Sequence, residues 1–136
     1  MSISSPTCRS TSSNAYKTEQ EYVQNRLSQI AMTPQTMEQL RNYKVIDTSM
    51  LKLEYFFYTN SEEKAVVLSG ELEKLGYESA FSLSAGNATE YVINGWTTKM
   101  AMDDKTVEEW TALMCDLGRD NDCEFDGWGT NRDQEN

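Results

Sequence analysis

Leu51, Leu53, Tyr55 and Phe57 alternate with Lys52, Glu54, Phe56 and Tyr58, and a period of two over eight residues commits this stretch to a β-strand. Aromatic rings on both faces mean that neither side of the strand is purely a solvent face. The chain beyond the strand is constrained in turn. Asn60 is placed to cap a helix with Glu63 at its third position, and Ala65, Leu68, Leu72 and Leu75 share one stripe until Gly76 ends it. Tyr77 to Ala85 reads as a second strand with Tyr77, Phe81 and Leu83 on one side. A turn at Gly86-Asn87 then leads into a third strand from Glu90 to Ala101, so these two strands should pair as a hairpin. Asp103 or Asp104 caps a second helix, whose Val107, Trp110, Met114 and Leu117 repeat at helical spacing before Gly118 stops it. A last strand spans Cys123 to Trp128.

Strand, helix, strand, strand, helix, strand predicts an α+β domain: a ferredoxin-like βαββαβ antiparallel sheet with both helices on one face. An N-terminal helical arm precedes it. Thr18-Glu19-Gln20-Glu21 is a capping box, with Val23, Leu27 and Ile30 after it at i, i+4 and i+7. Thr33 as cap and Pro34 at a first helical position predict a second short helix carrying Met37 and Leu40. The expected organisation is a flexible Ser/Thr-rich tail over 1–15, the helical arm over 16–49, the core domain over 50–130 and a short acidic tail over 131–136.

Charge prunes the functions. The 136 residues carry a formal net charge of −10, which repels phosphate backbones and anionic lipid headgroups and favours a cationic partner. Direct nucleic-acid or membrane binding is therefore not expected. The chain has no histidine, which removes Ser-His-Asp and Cys-His nucleophiles, the two-His zinc helix and the usual proton shuttle at neutral pH. No catalytic residues, cofactor or metal are expected, and the reading is of a protein that is not an enzyme. An enzyme built on carboxylates would have only Asp122, Glu124 and Asp126 as crowded candidates, and would need an apolar pocket to raise one of their pKa values. Cys8, Cys115 and Cys123 are odd in number and irregular in spacing, which fits free thiols in a reducing, cytoplasmic setting. Neither a signal peptide nor an apolar stretch of membrane-spanning length is visible, so cytoplasm is the default.

The densest local information lies between Asp116 and Asn136. Asp122, Glu124, Asp126 and Gly127 fall at positions 1, 3, 5 and 6 of a calcium-loop pattern, with Asp133 at position 12. Gly129 at the apolar anchor position and the lack of an exit helix argue instead for a strand with Glu124 and Asp126 on its solvent face. Gly127 and Gly129 flank Trp128, which either completes the core or stands beside Asp126 as an aromatic anchor rimmed by carboxylates. The run from Tyr55 to Tyr58 invites comparison with base-stacking sheets, but the basic, glycine-containing pattern of such strands is missing.

Two stretches are more specific still. Glu73-Lys74-Leu75-Gly76-Tyr77-Glu78 and Cys123-Glu124-Phe125-Asp126-Gly127-Trp128-Gly129-Thr130 closely resemble the regulator of ribonuclease activity B family, the protein inhibitors of ribonuclease E. The resemblance implies a cytoplasmic, non-catalytic ferredoxin-like protein that binds the arginine-rich, basic scaffold region of ribonuclease E and modulates its endonucleolytic activity, and so RNA abundance. Asp120, Asp122, Glu124 and Asp126 would then pair with arginines while Trp128 stacks on a guanidinium. The alternative is an acidic immunity-type or nucleic-acid-mimicking inhibitor of a different basic protein.

Overall fold

The computed structural model describes residues 15–84 and 87–131. The Ser/Thr-rich stretch up to Asn14, the turn at Gly86 and the acidic end from Arg132 lie outside the described residues. In chain order the elements are α1 (Glu19–Asn42), β1 (Met50–Leu51), β2 (Leu53–Thr59), α2 (Glu62–Lys74), β3 (Ala80–Ser84), β4 (Asn87–Trp96), β5 (Met100–Ala101), α3 (Asp104–Asp120) and β6 (Glu124–Thr130). This is an α+β fold. Its main sheet is antiparallel with strand order β3-β4-β2-β6, and β1 with β5 forms a separate two-stranded ladder.

The alternation in β2 sorts its side chains as the sequence requires. Leu53, Tyr55, Phe57 and Thr59 are wholly buried, while Glu54, Phe56 and Tyr58 remain partly open on the opposite face. Cross-strand register builds the core around the buried set: Phe57 lies opposite Ile93 on β4 and Phe125 on β6, and Tyr55 opposite Gly95 and Trp128. Ala65, Leu68 and Leu72 of α2, with Val107, Trp110 and Met114 of α3, close over that same face. Each buried Val, Leu, Ile, Phe or Met among them contributes about 1.5–3 kcal/mol by leaving water.

Several boundaries differ from the sequence expectation. Ser61, not Asn60, caps α2, its hydroxyl accepting the Lys64 N–H. Leu75 of the expected stripe, like Leu83 of the second strand, is exposed. The second strand starts at Ala80, because Tyr77 and Glu78 are held by other bonds: Glu78 N–H donates to Trp96 O at 2.9 Å and the Tyr55 hydroxyl donates to Glu78 O. The third strand stops at Trp96. Thr97 turns inward, its hydroxyl accepting the Leu53 N–H at 2.9 Å, and Met100–Ala101 pairs with Met50–Leu51 instead.

Gly118 does not end α3, which runs on to Asp120. A methyl group on Gly118 would stand 2.4 Å from Cys123 O and 2.8 Å from a Phe57 ring carbon, so the glycine lets the helix close against the start of β6. Asp103 caps the helix, its carboxylate accepting the Thr106 N–H and hydroxyl.

The largest correction concerns the N-terminal region, where one helix replaces the two expected. The capping box at Thr18 forms as read, but Thr33 is no cap. It is buried inside α1 with its hydroxyl on Gln29 O, and Pro34 sits within the helix. An interior proline costs about 3 kcal/mol, and packing on both sides of it holds the helix together: Thr33 and Met37 are both buried. Nor does the apolar stripe face inward. Val23 and Leu27 are exposed, whereas Tyr22, Gln29, Thr33 and Met37 are buried. The reason is what α1 packs on. Its inner face meets α3 and the polar rim of β6, and ion pairs Glu19–Arg119, Arg26–Asp116 and Arg41–Asp104 lace it to α3.

Candidate functional site

Asp120, Asp122, Glu124, Asp126 and Trp128 occupy the end of α3, the turn after it and β6, yet they do different things. Asp120 is exposed and lies beside Arg119 at 3.6 Å. Asp122 has a left-handed backbone, φ 55°, and its carboxylate is a hub. It accepts the Tyr16 N–H at 2.7 Å and the Tyr22 hydroxyl at 2.6 Å, and pairs with the Lys64 ammonium at 2.6 Å. Thr59 in turn donates its hydroxyl to Asp122 O. Burial works against the charge, but the Lys64, Tyr22 and Tyr16 hydrogen bonds outweigh it and hold the carboxyl below the ordinary aspartate range. Asp122 thus fastens the lead-in to α1, α2 and the start of β6 to one point.

Glu124 and Asp126 are the opposite case. Among the described residues neither carboxylate has a hydrogen-bond donor or a cation in ion-pair contact. Partial burial raises both pKa values, and the charges of Asp126, Glu21 and Glu90 push Glu124 further up while Lys17 opposes them; Glu90 does the same to Asp126. Glu90, on β4, accepts the Tyr16 hydroxyl, and burial with that bond drives the phenol pKa upward. The result is a group of carboxylates, Glu90 and Glu124 half-buried and Asp126 exposed, near enough to one another to repel. Such a surface gains by meeting a cation.

Asp126 owes its position to a bulge. The β2–β6 register shifts between Phe56 and Phe57, so Phe57 pairs with Phe125 and Phe56 with Gly127, leaving Asp126 as the extra residue. Gly127, at φ 132°, takes a backbone conformation that side chains disfavour. Trp128 then returns to the helix-covered face, where its ring meets Trp110 edge-on at 6.2 Å. It remains partly open.

Because β6 is the last strand of the sheet, its outer rim would offer unpaired backbone groups. α1 covers it: Asn25 Nδ2 donates to Phe125 O at 2.8 Å, and Gln29 Nε2 reaches the same oxygen. Beside these contacts α1 and the bulge leave a groove of about 270 Å³. Gln29, Thr33 and Thr36 line it from the helix, and Phe56, Asp126 and Trp128 from the sheet.

Sequence reasoning found β6 but missed its partners Tyr16, Tyr22, Lys64, Gln29 and Glu90. Only the capping box at Thr18 marked where α1 begins; nothing local in the sequence signals contacts across some hundred residues. Among the described residues, no three His, Cys, Asp or Glu side chains converge as a metal site, and Asp133 of the calcium-loop pattern lies outside them. Burial pushes the Cys115 and Cys123 thiols up to about 12. Among the described residues no helix is long and apolar enough to cross a membrane.

A family model described as regulator of ribonuclease activity B matches residues 31–130. The chain belongs to the regulator of ribonuclease activity B family. No curated protein matches it. The matched stretch runs from within α1 to the end of β6 and so includes the β6 bulge, Glu90, Glu124 and Asp126, while Gln29 lies before it.

Proposed function

We propose that this protein binds ribonuclease E and restrains its endonucleolytic activity by docking the β6 corner of its sheet onto a basic segment of the nuclease scaffold. It performs no chemistry itself and acts in the cytoplasm. One observation carries the reading: half-buried Glu124 and exposed Asp126 lie within electrostatic reach of each other and of Glu90, and neither has a cation in ion-pair contact among the described residues. Arginines arriving there relieve a repulsion already stored in the free protein, and Trp128 adds a ring on which a guanidinium stacks. Asp120 extends the acidic rim. Asp122 contributes by keeping β6 and α1 in place, its carboxylate being engaged within the chain.

We also read the fold as ferredoxin-like. The strand order β3-β4-β2-β6 and the two crossover helices on one face support that reading. On such a scaffold the second sheet face serves recognition, and here its β6 corner carries the carboxylates of Glu90 and Glu124.

The test is binding of the full-length protein to full-length ribonuclease E and to its scaffold half across a salt series, with an RNA cleavage assay alongside. Binding that weakens steeply with salt, is reduced in a Glu124→Gln, Asp126→Asn double variant and slows cleavage is the expected result. Absence of binding at low salt would move the protein to a different basic target.

A further inference from the structure

We propose that the groove between α1 and the β6 bulge is a guanidinium subsite, built to take one arginine side chain of an extended basic segment. The subsite deepens the proposed function by naming the group that is read, and rests on that reading only for the identity of the partner.

The lining is what a planar fork of N–H donors requires. Asp126 supplies a carboxylate that no described cation contacts, raised in pKa by burial. Gln29 supplies a second acceptor. The residue is 8% exposed, and its amide nitrogen lies 3.5 Å from both Asn25 Oδ1 and Phe125 O, contacts that orient the amide. Gln29 Oε1 therefore turns the other way, 3.8 Å from where a Cβ on Gly127 would be, and has no donor among the described residues. That oxygen keeps some accessible surface, so a donor entering the groove can reach it.

The walls complete the site. Gly127 lies opposite Phe56 and adds no side chain over it, and Phe56 and Trp128 both line the groove. An arginine can donate to two separate acceptors while its flat face lies on a ring; a lysine ammonium is a hydrated point charge with neither property. The space suits one such side chain, and Glu124 and Glu90 beside it supply the field that favours further cations on the same segment.

The test uses the full-length protein, isotope-labelled for NMR, with two synthetic peptides of alternating glycine and either arginine or lysine. Expected are shifts of the Gln29 side-chain amide, Gly127 and the Trp128 indole on adding the arginine peptide, with the lysine peptide binding about tenfold more weakly. Asp126→Asn should weaken the arginine peptide about tenfold, whereas Glu109→Gln, an equal charge change on exposed α3, should leave it within twofold. Equal affinity for the two peptides, or shifts confined to other surfaces, would overturn the subsite even if ribonuclease E still binds. Arginine-selective binding without any nuclease binding would keep the subsite and remove the partner. Movement of the same signals in Arg9→Gln or Arg132→Gln without peptide would assign the groove to the chain's own ends and overturn a partner's arginine.

Discussion

The Lys64 ammonium on α2 lies 2.6 Å from the Asp122 carboxylate, which also accepts the phenol of Tyr22 on α1. Two helices whose contacting residues lie 100 and 58 positions before Asp122 are thereby tied to the residue that launches β6. Asp122→Ala should lower stability by about 2 kcal/mol, since it strips Lys64, Tyr22 and Tyr16 of one acceptor while Lys64 stays mostly buried. Denaturant unfolding checks this. The pH dependence has a definite sign: the folded pKa is depressed, so the contribution is present above the ordinary aspartate value and is lost as pH falls through the lower folded value. The wild type, unlike the variant, should lose this increment only in strong acid.

Glu124 and Asp126 have the reverse linkage. Their folded pKa values are raised, so each charge opposes folding, an effect that grows as pH rises from the unfolded value through the folded one and is absent in acid. Glu124→Gln and Asp126→Asn should each stabilise the protein at pH 7 by about 0.5 kcal/mol, raising Tm by roughly 2 °C. The gain should vanish at pH 3. Greater stability together with weaker partner binding is the pattern of a surface kept for function; a Tm unchanged or lowered at pH 7 would contradict it.

Gly118→Ala should destabilise by about 3 kcal/mol or more, because the added methyl meets a backbone oxygen and the wholly buried Phe57 ring. Gly129→Ala, with nothing within 4 Å of the new carbon, is the matched control and should stay within about 0.5 kcal/mol. Thermal melts of the pair measure the difference.

Removing Asn25's amide uncovers the rim of β6. Asn25→Ala, which deletes the 2.8 Å bond to Phe125 O, should cost about 1 kcal/mol and favour strand-to-strand association. Light scattering at rising concentration should show oligomers that the wild type does not form.

Burial that pushes the Cys115 and Cys123 thiols up to about 12 makes both poor nucleophiles at neutral pH. Their reaction with an aromatic disulfide at pH 8 should be limited by opening of the fold, and should become fast in denaturant.

Features that depend on near neighbours were legible in the chain alone. The two-residue period of β2, the capping box at Thr18, the Asp103 cap and the buried stripes of α2 and α3 are written in residues a few positions apart. Backbone sterics and local burial need nothing more, and the order of elements came from them. The Asp-Gly-Trp-Gly run was readable as a place where the chain bends, and the bulge is there. Packing in three dimensions settled the remainder. Local rules broke α1 at Pro34 and turned Val23 and Leu27 inward; long-range packing on α3 and β6 kept the helix whole and buried Gln29 and Thr33 instead. Asp122 and Asp126 stand four residues apart with the same side chain, yet one is a bonded hub and the other, beside a groove, has no cation in contact among the described residues. That difference arises from Tyr22, Lys64 and Gln29, which reach β6 from α1 and α2, and solvation and charge depend on distance in space rather than along the chain.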